Sequence, residues 1–391
     1  MNVFIHVGVQ KTGTTYLQKV AFPKLDSQKV IYNPKELLSL IIDCLLWDAS
    51  DANVMKARKE TRTFIEKFSR THEAIIISLE LISGRYIYLY DNIEKNYGII
   101  KEIFEDPQII LNFRFQPNWI ASAYKQSLST GFCHSFEEFI GLKEAPRGIG
   151  AGEKKEIIDH DVWGHTISAL RKKNGKNYKV KPKEIGYKIK INAKVLDWSN
   201  CLRTANNIFG QKNVHVFYYE NLFKRKKEIC SDIFNLIGSA PIGDTSSLRI
   251  NRGYSAFLCD LTVKIGSIFP QILGRDEVKI SKKLYLRPKN YDAPFSDAIK
   301  KENVFKILYL LFAKIINRII FFVFGNVQIK SPYIYIAENI FDRIIYWNWD
   351  LLEKAGVRDE LVQHYMEKNN ELKEIANSGD VPEFYHKAPH G

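Results

Sequence analysis

The stretch HVGVQKTGTT, residues 6–15, follows an apolar run at residues 3–5 and precedes a sequence in which a helix can begin. A buried strand, a glycine-containing turn and a helix, in that order, are typical of a loop that binds phosphate through backbone N–H groups. Gly8 and Gly13 have P-loop spacing, but Lys11 lies two positions before the second glycine and Thr14 directly after it. The stretch therefore predicts an anion site without the Gly-Lys-Ser/Thr arrangement that binds ATP and Mg²⁺.

The rest of the chain predicts an α/β fold, because apolar strand-like runs alternate with helical patterns. Strands are predicted at residues 3–9, 30–34, 74–78, 108–114 and 214–219, and helices from residue 14 and at about 36–47, 54–68, 98–105, 117–127 and 224–237. This alternation is typical of a parallel sheet flanked by helices, with ligands at the carboxyl ends of the strands. The loop at residues 8–15 follows the carboxyl end of the first predicted strand, where a ligand is therefore expected to bind.

The composition is that of a globular protein with an affinity for anions. Fifty-seven Lys and Arg against 44 Asp and Glu give a net charge of +13, which favours nucleotides, acidic glycans or a phospholipid surface as partners. The five cysteines show no CxxC spacing, which predicts reduced thiols and argues against a disulfide framework or a zinc site. The loop begins almost at residue 1, so we expect no signal peptide or N-terminal anchor, and a cytoplasmic protein.

The predicted α/β core spans residues 1–260, and three stretches look added to it, at residues 171–194, 262–290 and 304–324. Residues 171–194 contain ten Lys or Arg against one acid and alternate apolar with basic residues, which predicts a hairpin with one basic face. Residues 261–345 form a second segment, basic at 262–290 and most apolar at 304–324. Residues 346–391 are predicted to be a helical segment packing on the core.

The apolar stretch 304–324 has two interpretations. A straight helix of this length would measure about 31 Å, with basic residues on roughly a third of its circumference and a wide apolar face. Three cations argue against a spanning helix and favour one that lies in the interface of an anionic membrane. The alternative is a core helix or a homodimer contact.

A second group of residues extends the anion site. Arg114 ends the predicted strand at 108–114, Pro117 opens the next helix, and Ser122 lies on that helix. A guanidinium can clamp a phosphate through paired N–H donors, and a hydroxyl can add a third contact. The pair predicts a second phosphate near the first.

Together these residues resemble the sulfotransferases that use 3′-phosphoadenosine 5′-phosphosulfate (PAPS). The 5′-phosphosulfate loop of that family matches Lys11, Thr12, Gly13, Thr14 and Thr15, and its 3′-phosphate element matches Arg114, Pro117 and Ser122. Residues 135–140, 209–222, 251–255 and 369–375 look like the bacterial, carbohydrate-type branch. The chain departs from the cytosolic steroid and phenol enzymes, since it has no clear RKG segment, and its adenine contacts stay unassigned.

The resemblance implies sulfuryl transfer from PAPS, with adenosine 3′,5′-bisphosphate (PAP) as product and no metal. Lys11 would supply charge at the bridging oxygen, and Glu80, at the end of the 74–78 strand, would be the catalytic base, as in related glycan sulfotransferases. His134, His160 and His165 are the rival bases, since histidine titrates near neutral pH. A structural role for Glu80 remains open. His6 is expected to be a hydrogen-bonded core residue, and Tyr219 and Glu220 to brace the loop.

The sequence thus favours a sulfotransferase acting on a hydroxyl or amine of a carbohydrate, such as a glycolipid, lipid-linked sugar or surface polysaccharide. An Mg²⁺-dependent nucleotide kinase is the enzymatic alternative, and a non-catalytic protein that binds polyanions or membranes is the other. We expect no nucleic-acid partner. A peripheral position on the inner face of the membrane and a homodimer are both compatible with the stretch at 304–324.

Overall fold

A computed structural model of the chain describes most of the predicted core. The described residues are 1–84, 86, 89–129, 134–142, 191–224, 226–239, 242–243, 254–268, 278–279, 328–329, 348–376 and 381–386. Most of the basic stretch 171–194 and all of 304–324 lie outside these residues, and so do His160 and His165. None of the helices within the described ranges combines the length and hydropathy that crossing a lipid bilayer requires.

The centre of the fold is a five-stranded parallel sheet. Its strands are β1 (Asn2–Gly8), β2 (Val30–Tyr32), β3 (Ala74–Ser78), β4 (Gln108–Phe113) and β5 (Val214–Tyr218), in the order β2-β3-β1-β4-β5. β1 pairs in parallel with β3 on one side and β4 on the other. Residues of β3 and β4 are buried on both faces, as expected for a parallel sheet covered by helices. The predicted α/β class is confirmed.

Helices connect the strands. They are α1 (Thr14–Tyr16), α2 (Lys35–Leu46), α3 (Asp51–Phe68), α4 (Ile93–Ile103), α5 (Gln116–Ser129), α6 (Phe136–Phe139), α7 (Trp198–Phe209), α8 (Tyr219–Lys224), α9 (Lys226–Ile237), α10 (Ala256–Ile268), α11 (Leu351–Lys354) and α12 (Arg358–Ile375). α1 is one regular turn that continues as a π-helix, Leu17–Ala21, and a 3₁₀ turn, Phe22–Lys24. Further 3₁₀ turns are Glu80–Ser83, Gln211–Asn213 and Glu383–Tyr385.

The structure corrects two helix predictions. The helix predicted from residue 98 begins at Ile93, because Ile93, Tyr97 and Ile100 form one buried stripe. The basic helix predicted at 224–237 is two helices, α8 and α9, so the first begins directly after β5. α7 was not predicted from the sequence, whereas α12 lies within the helical segment predicted at residues 346–391.

Two compact units divide the chain. One contains residues 1–123, 192–252 and 356–391, and therefore holds the whole parallel sheet. In this unit α12 packs against α7. The other contains residues 124–191 and 253–355, including α6, α10, α11 and an antiparallel pair of short strands, β6 (Val278–Lys279) and β7 (Gln328–Ile329). The domain boundaries given above stay predictions.

Candidate functional site

The loop between β1 and α1 has the backbone shape of an anion-binding turn. Gly8, Lys11 and Gly13 all have positive φ, at 74°, 69° and 87°. The hydroxyl of Thr12 donates to the carbonyl of Val9 at 2.6 Å, which closes the turn from inside. The N–H groups of residues 12–15 make no hydrogen bond to any other described residue. A run of free N–H groups in a turn with left-handed residues can bind an anion.

Both glycines of the loop are required by their surroundings. At Gly8 a Cβ would lie 3.0 Å from Thr14 Cγ2 and 3.4 Å from Glu80 Cγ. At Gly13 it would lie 2.8 Å from Leu222 Cδ2, because α8 packs over the loop. Positive φ adds a cost for any other residue at either position. The spacing of the two glycines therefore reflects close packing as well as turn geometry.

Glu80 lies against the loop, where the sequence predicted a base. The Leu79 N–H donates to the His6 carbonyl at 3.0 Å, and Glu80 then opens the 3₁₀ turn that follows β3. The Thr14 hydroxyl donates to Glu80 Oε1. Burial raises the pKa of Glu80, while the Thr14 hydrogen bond and the charge of Lys11 act in the opposite direction. Lys11, Thr14 and Glu80 therefore form one electrostatic group.

Gln10 joins three parts of this site, and the sequence reading did not single it out. Its side-chain Nε2 donates to the carbonyls of Glu80, at 3.2 Å, and Gly84, at 2.8 Å. Its own carbonyl accepts a hydrogen bond from Trp119 Nε1 on α5 at 2.8 Å. Gln10 is almost fully buried, so these bonds tie the loop to the turn of Glu80 and to α5. The position of Gln10 between Gly8 and Gly13 was the feature of the sequence that could have indicated this role.

Arg114 lies directly after β4 and reaches back to the loop. Its Nη1 donates to the Lys11 carbonyl at 3.2 Å, and its guanidinium carbon lies 4.2 Å from the centre of the Tyr219 ring. Its Nε is buried without a hydrogen-bond partner, and no carboxylate of the described residues forms an ion pair with it. Trp198 Nε1 donates to the Arg114 carbonyl at 2.6 Å and holds the backbone in place. A positioned cation without a carboxylate partner is a good ligand for a phosphate.

The other predicted site residues have different surroundings. Ser122 is half-buried on α5 and makes no hydrogen bond to another described side chain. His134 is buried in the second unit, where its Nε2 lies 2.8 Å from Ser127 Oγ and its ring stacks on Phe139. The structure therefore shows His134 packed in a core.

His6 is the hydrogen-bonded core residue that was expected. It is fully buried in β1, and its Nδ1 lies 2.6 Å from Ser78 Oγ. Burial lowers the pKa of His6 to about 4, with Asn112 acting in the opposite direction. The ring is therefore neutral at physiological pH and supports the strands from which the loop and the Glu80 turn leave.

The arrangement can bind two anionic groups and accept a proton. The loop and Lys11 can hold one group, Arg114 can hold a second, and Glu80 is a carboxylate that accepts the Thr14 hydroxyl and feels the charge of Lys11. Among the described residues no three His, Cys, Asp or Glu side chains are grouped so that they could hold a metal ion. Lys11 and Arg114 can neutralise negative charge, and Glu80 can act in acid–base catalysis.

Comparison with known proteins adds one structural similarity. No family model matches the chain, and no curated protein matches its sequence. Among solved structures, a sulfotransferase from Alicyclobacillus acidocaldarius is similar, with 12% identity and a TM-score of 0.38, over 63% of this chain and 86% of that chain. A similarity this loose carries no argument about function, so the residues of the site must carry it.

Proposed function

We propose that this protein is a sulfotransferase that moves a sulfuryl group from PAPS to a hydroxyl or amine of a carbohydrate. One observation supports this above the others: Lys11, Thr14 and Glu80 converge at a loop in which the N–H groups of residues 12–15 make no hydrogen bond to another described residue, and Arg114 contacts the same loop. A 3′-phosphorylated nucleotide needs two anion subsites, and the loop and Arg114 are two such groups. The positions match the sequence motifs by which the chain resembles the family.

The binding step uses the loop and Arg114 separately. The N–H groups of residues 12–15 would hold the 5′-phosphate, and Lys11 would neutralise its bridging oxygen. Arg114 and Ser122 would hold the 3′-phosphate, which is absent from ATP. Because the Arg114 guanidinium is stacked on Tyr219 and bonded to the Lys11 carbonyl, its orientation is set before the ligand arrives.

The transfer step needs positioning, charge and a base. As the bond between the acceptor atom and sulfur forms, the bond from sulfur to the bridging oxygen of PAPS breaks. Lys11 would stabilise the negative charge that stays on PAP, and Glu80 would take the proton of the acceptor. The raised pKa of Glu80 makes it a stronger base than an exposed carboxylate.

For the acceptor, we propose a chemical class and not a particular molecule. The net charge of +13 favours acceptors or surfaces that carry negative charge. A glycolipid, a lipid-linked sugar or a surface polysaccharide would each present hydroxyl or amine groups. The membrane contact and the homodimer depend on residues 304–324, which lie outside the described part of the chain.

Substitution of the two cations tests the proposal. Lys11→Ala and Arg114→Ala should each weaken the binding of PAP by about 10- to 100-fold, because each removes a charge-assisted contact. Arg62→Ala is the matched control, since Arg62 is an exposed arginine whose ion pair with Glu66 lies on the surface of α3. Titration calorimetry measures the affinities, and unfolding curves check the fold. Unchanged affinity in both variants would contradict the proposal.

A further inference from the structure

Glu220 joins the segment that carries Arg114 to residues 381–386. It is the second residue of α8, and its Oε1 accepts the N–H of Phe115 at 3.0 Å. Its Oε2 accepts the hydroxyl of Tyr385 at 2.9 Å. Both oxygens of one carboxylate are therefore used, one by the neighbour of Arg114 and one by a tyrosine that is far away in the sequence.

Residues 384 and 385 also pack on the same backbone. The ring of Tyr385 lies 5.2 Å from the ring of Phe115 and 5.3 Å from the ring of Tyr218, and the Phe384 ring lies 5.4 Å from Phe115. Tyr385 is fully buried. Rings at these separations attract one another through edge and face contacts as well as through burial. The 3₁₀ turn Glu383–Tyr385 thus covers the point where β4 becomes α5.

Glu220 is also connected to the Arg114 guanidinium, through the neighbouring residue Tyr219. Tyr219 precedes Glu220, and the Tyr219 ring stacks on Arg114. A shift of the Glu220 carboxylate would move both the Phe115 N–H and the first turn of α8. Arg114 would then lose support from its own backbone and from the ring beneath it.

We propose that Tyr385 is a positioning residue for the 3′-phosphate subsite, acting through Glu220 on Arg114. The inference rests on the sulfotransferase function proposed above and extends the subsite to residues that the sequence motifs do not include. Burial and the negative charge of Glu220 raise the pKa of Tyr385, so its hydroxyl keeps its proton and stays a hydrogen-bond donor. The link therefore stays intact across the physiological pH range.

Removal of one hydroxyl tests the role with little change in packing. Tyr385→Phe keeps the ring contacts and removes the bond to Glu220, so PAP affinity should fall about 3- to 10-fold. Adenosine 5′-monophosphate lacks the 3′-phosphate, and its affinity should stay unchanged. Titration calorimetry with both ligands gives the ratio, which a loss of general stability does not alter.

Tyr365→Phe is the matched control. Tyr365 is also a fully buried tyrosine of the same unit, and its hydroxyl donates to the carbonyl of Ala193. This variant should leave the affinities for both ligands unchanged while losing a comparable hydrogen bond. Equal behaviour of the two variants, or equal losses for both ligands in Tyr385→Phe, would overturn the positioning role.

A second variant keeps the test decisive if Tyr385→Phe does not fold. Glu220→Gln preserves the size of the side chain but replaces one acceptor oxygen by an amide, and it should reduce PAP affinity selectively in the same way. In a double variant that folds, the two effects should not add, because both break one link. Full additivity would contradict the inference. Failure of the wild-type protein to bind PAP would instead contradict the proposed function.

Discussion

At the scale of single residues, the site depends on the pKa of Glu80, on which burial and the neighbours Thr14 and Lys11 have opposite effects. Burial disfavours the ionised carboxylate, whereas the Thr14 hydroxyl and the Lys11 charge favour it. The sequence was enough to predict that Lys11, Glu80 and Arg114 lie near one another, because each follows a strand of a parallel sheet. It could not predict Gln10 as their connection, since its bonds depend on the turn at Glu80 and on Trp119.

Loss of the Thr14 hydroxyl should move the pH profile of the enzyme. Thr14→Val removes a bond that lowers the pKa of Glu80, so that pKa should rise. A base acts when ionised, and the acid limb of kcat/KM should therefore shift to higher pH. Thr63→Val is the control, because the Thr63 hydroxyl donates to the Lys59 carbonyl on the exposed face of α3. An acid limb that does not move would exclude Glu80 as the titrating base.

Glu80→Gln should separate activity from stability. Turnover should fall by about 10²- to 10⁴-fold while PAP affinity is retained, because Gln keeps the acceptor for Thr14 but cannot take a proton. The pKa of Glu80 is raised in the folded state, so its ionisation destabilises the fold as pH rises above the unfolded-state value. Urea unfolding at neutral pH should therefore show the variant to be at least as stable as wild type. Near-normal turnover would transfer the base to one of the rival histidines outside the described residues, His160 or His165, since His134 is packed in a core.

At the scale of elements, the loop and the helices around it are held in place by contacts far apart in sequence. The strands were predictable because each is a compact apolar run with turn residues on either side. The sequence did not predict three other features: the π-helix that follows α1, the division between α8 and α9, and the turn at 383–385. The contacts of Leu222 with the loop and of Tyr385 with Phe115 join residues that are far apart in the sequence, and no local pattern contains such contacts.

Two glycine substitutions of opposite expected sign test this packing. Gly13→Ala should destabilise the protein and abolish PAP binding, because its φ is 87° and its Cβ would meet Leu222. Gly98→Ala is the control: Gly98 lies inside α4, and a Cβ there would contact nothing within 4 Å. The second change should stabilise the protein by about 0.5–1 kcal/mol in urea unfolding. A stable Gly13→Ala variant with normal affinity would contradict the loop geometry.

At the scale of the whole molecule, the excess of positive charge is the main property that the sequence shows directly. The net charge of +13 predicts binding to anionic vesicles that weakens as salt is added. Replacing Ile319, Ile320, Phe321 and Phe322 by serine should release the protein from vesicles without changing PAP affinity, since it removes apolar side chains of the stretch 304–324. Sedimentation with anionic and neutral vesicles measures this. The stretch would instead be an oligomer contact if two results were found together. Wild-type protein would never sediment with anionic vesicles, and the serine variant would be a monomer in light scattering where wild type is a dimer.

The preference for a 3′-phosphorylated nucleotide is the central claim for the whole protein. Titration calorimetry of wild-type protein with PAP, in the presence of EDTA and beside ADP, tests it most directly. The geometry of Lys11 and Arg114 predicts that PAP binds with the same affinity in EDTA and at least about tenfold more tightly than ADP, since Arg114 has a phosphate to hold only in PAP. Tight binding of ADP that needs Mg²⁺, without a preference for PAP, would contradict the claim and favour a kinase.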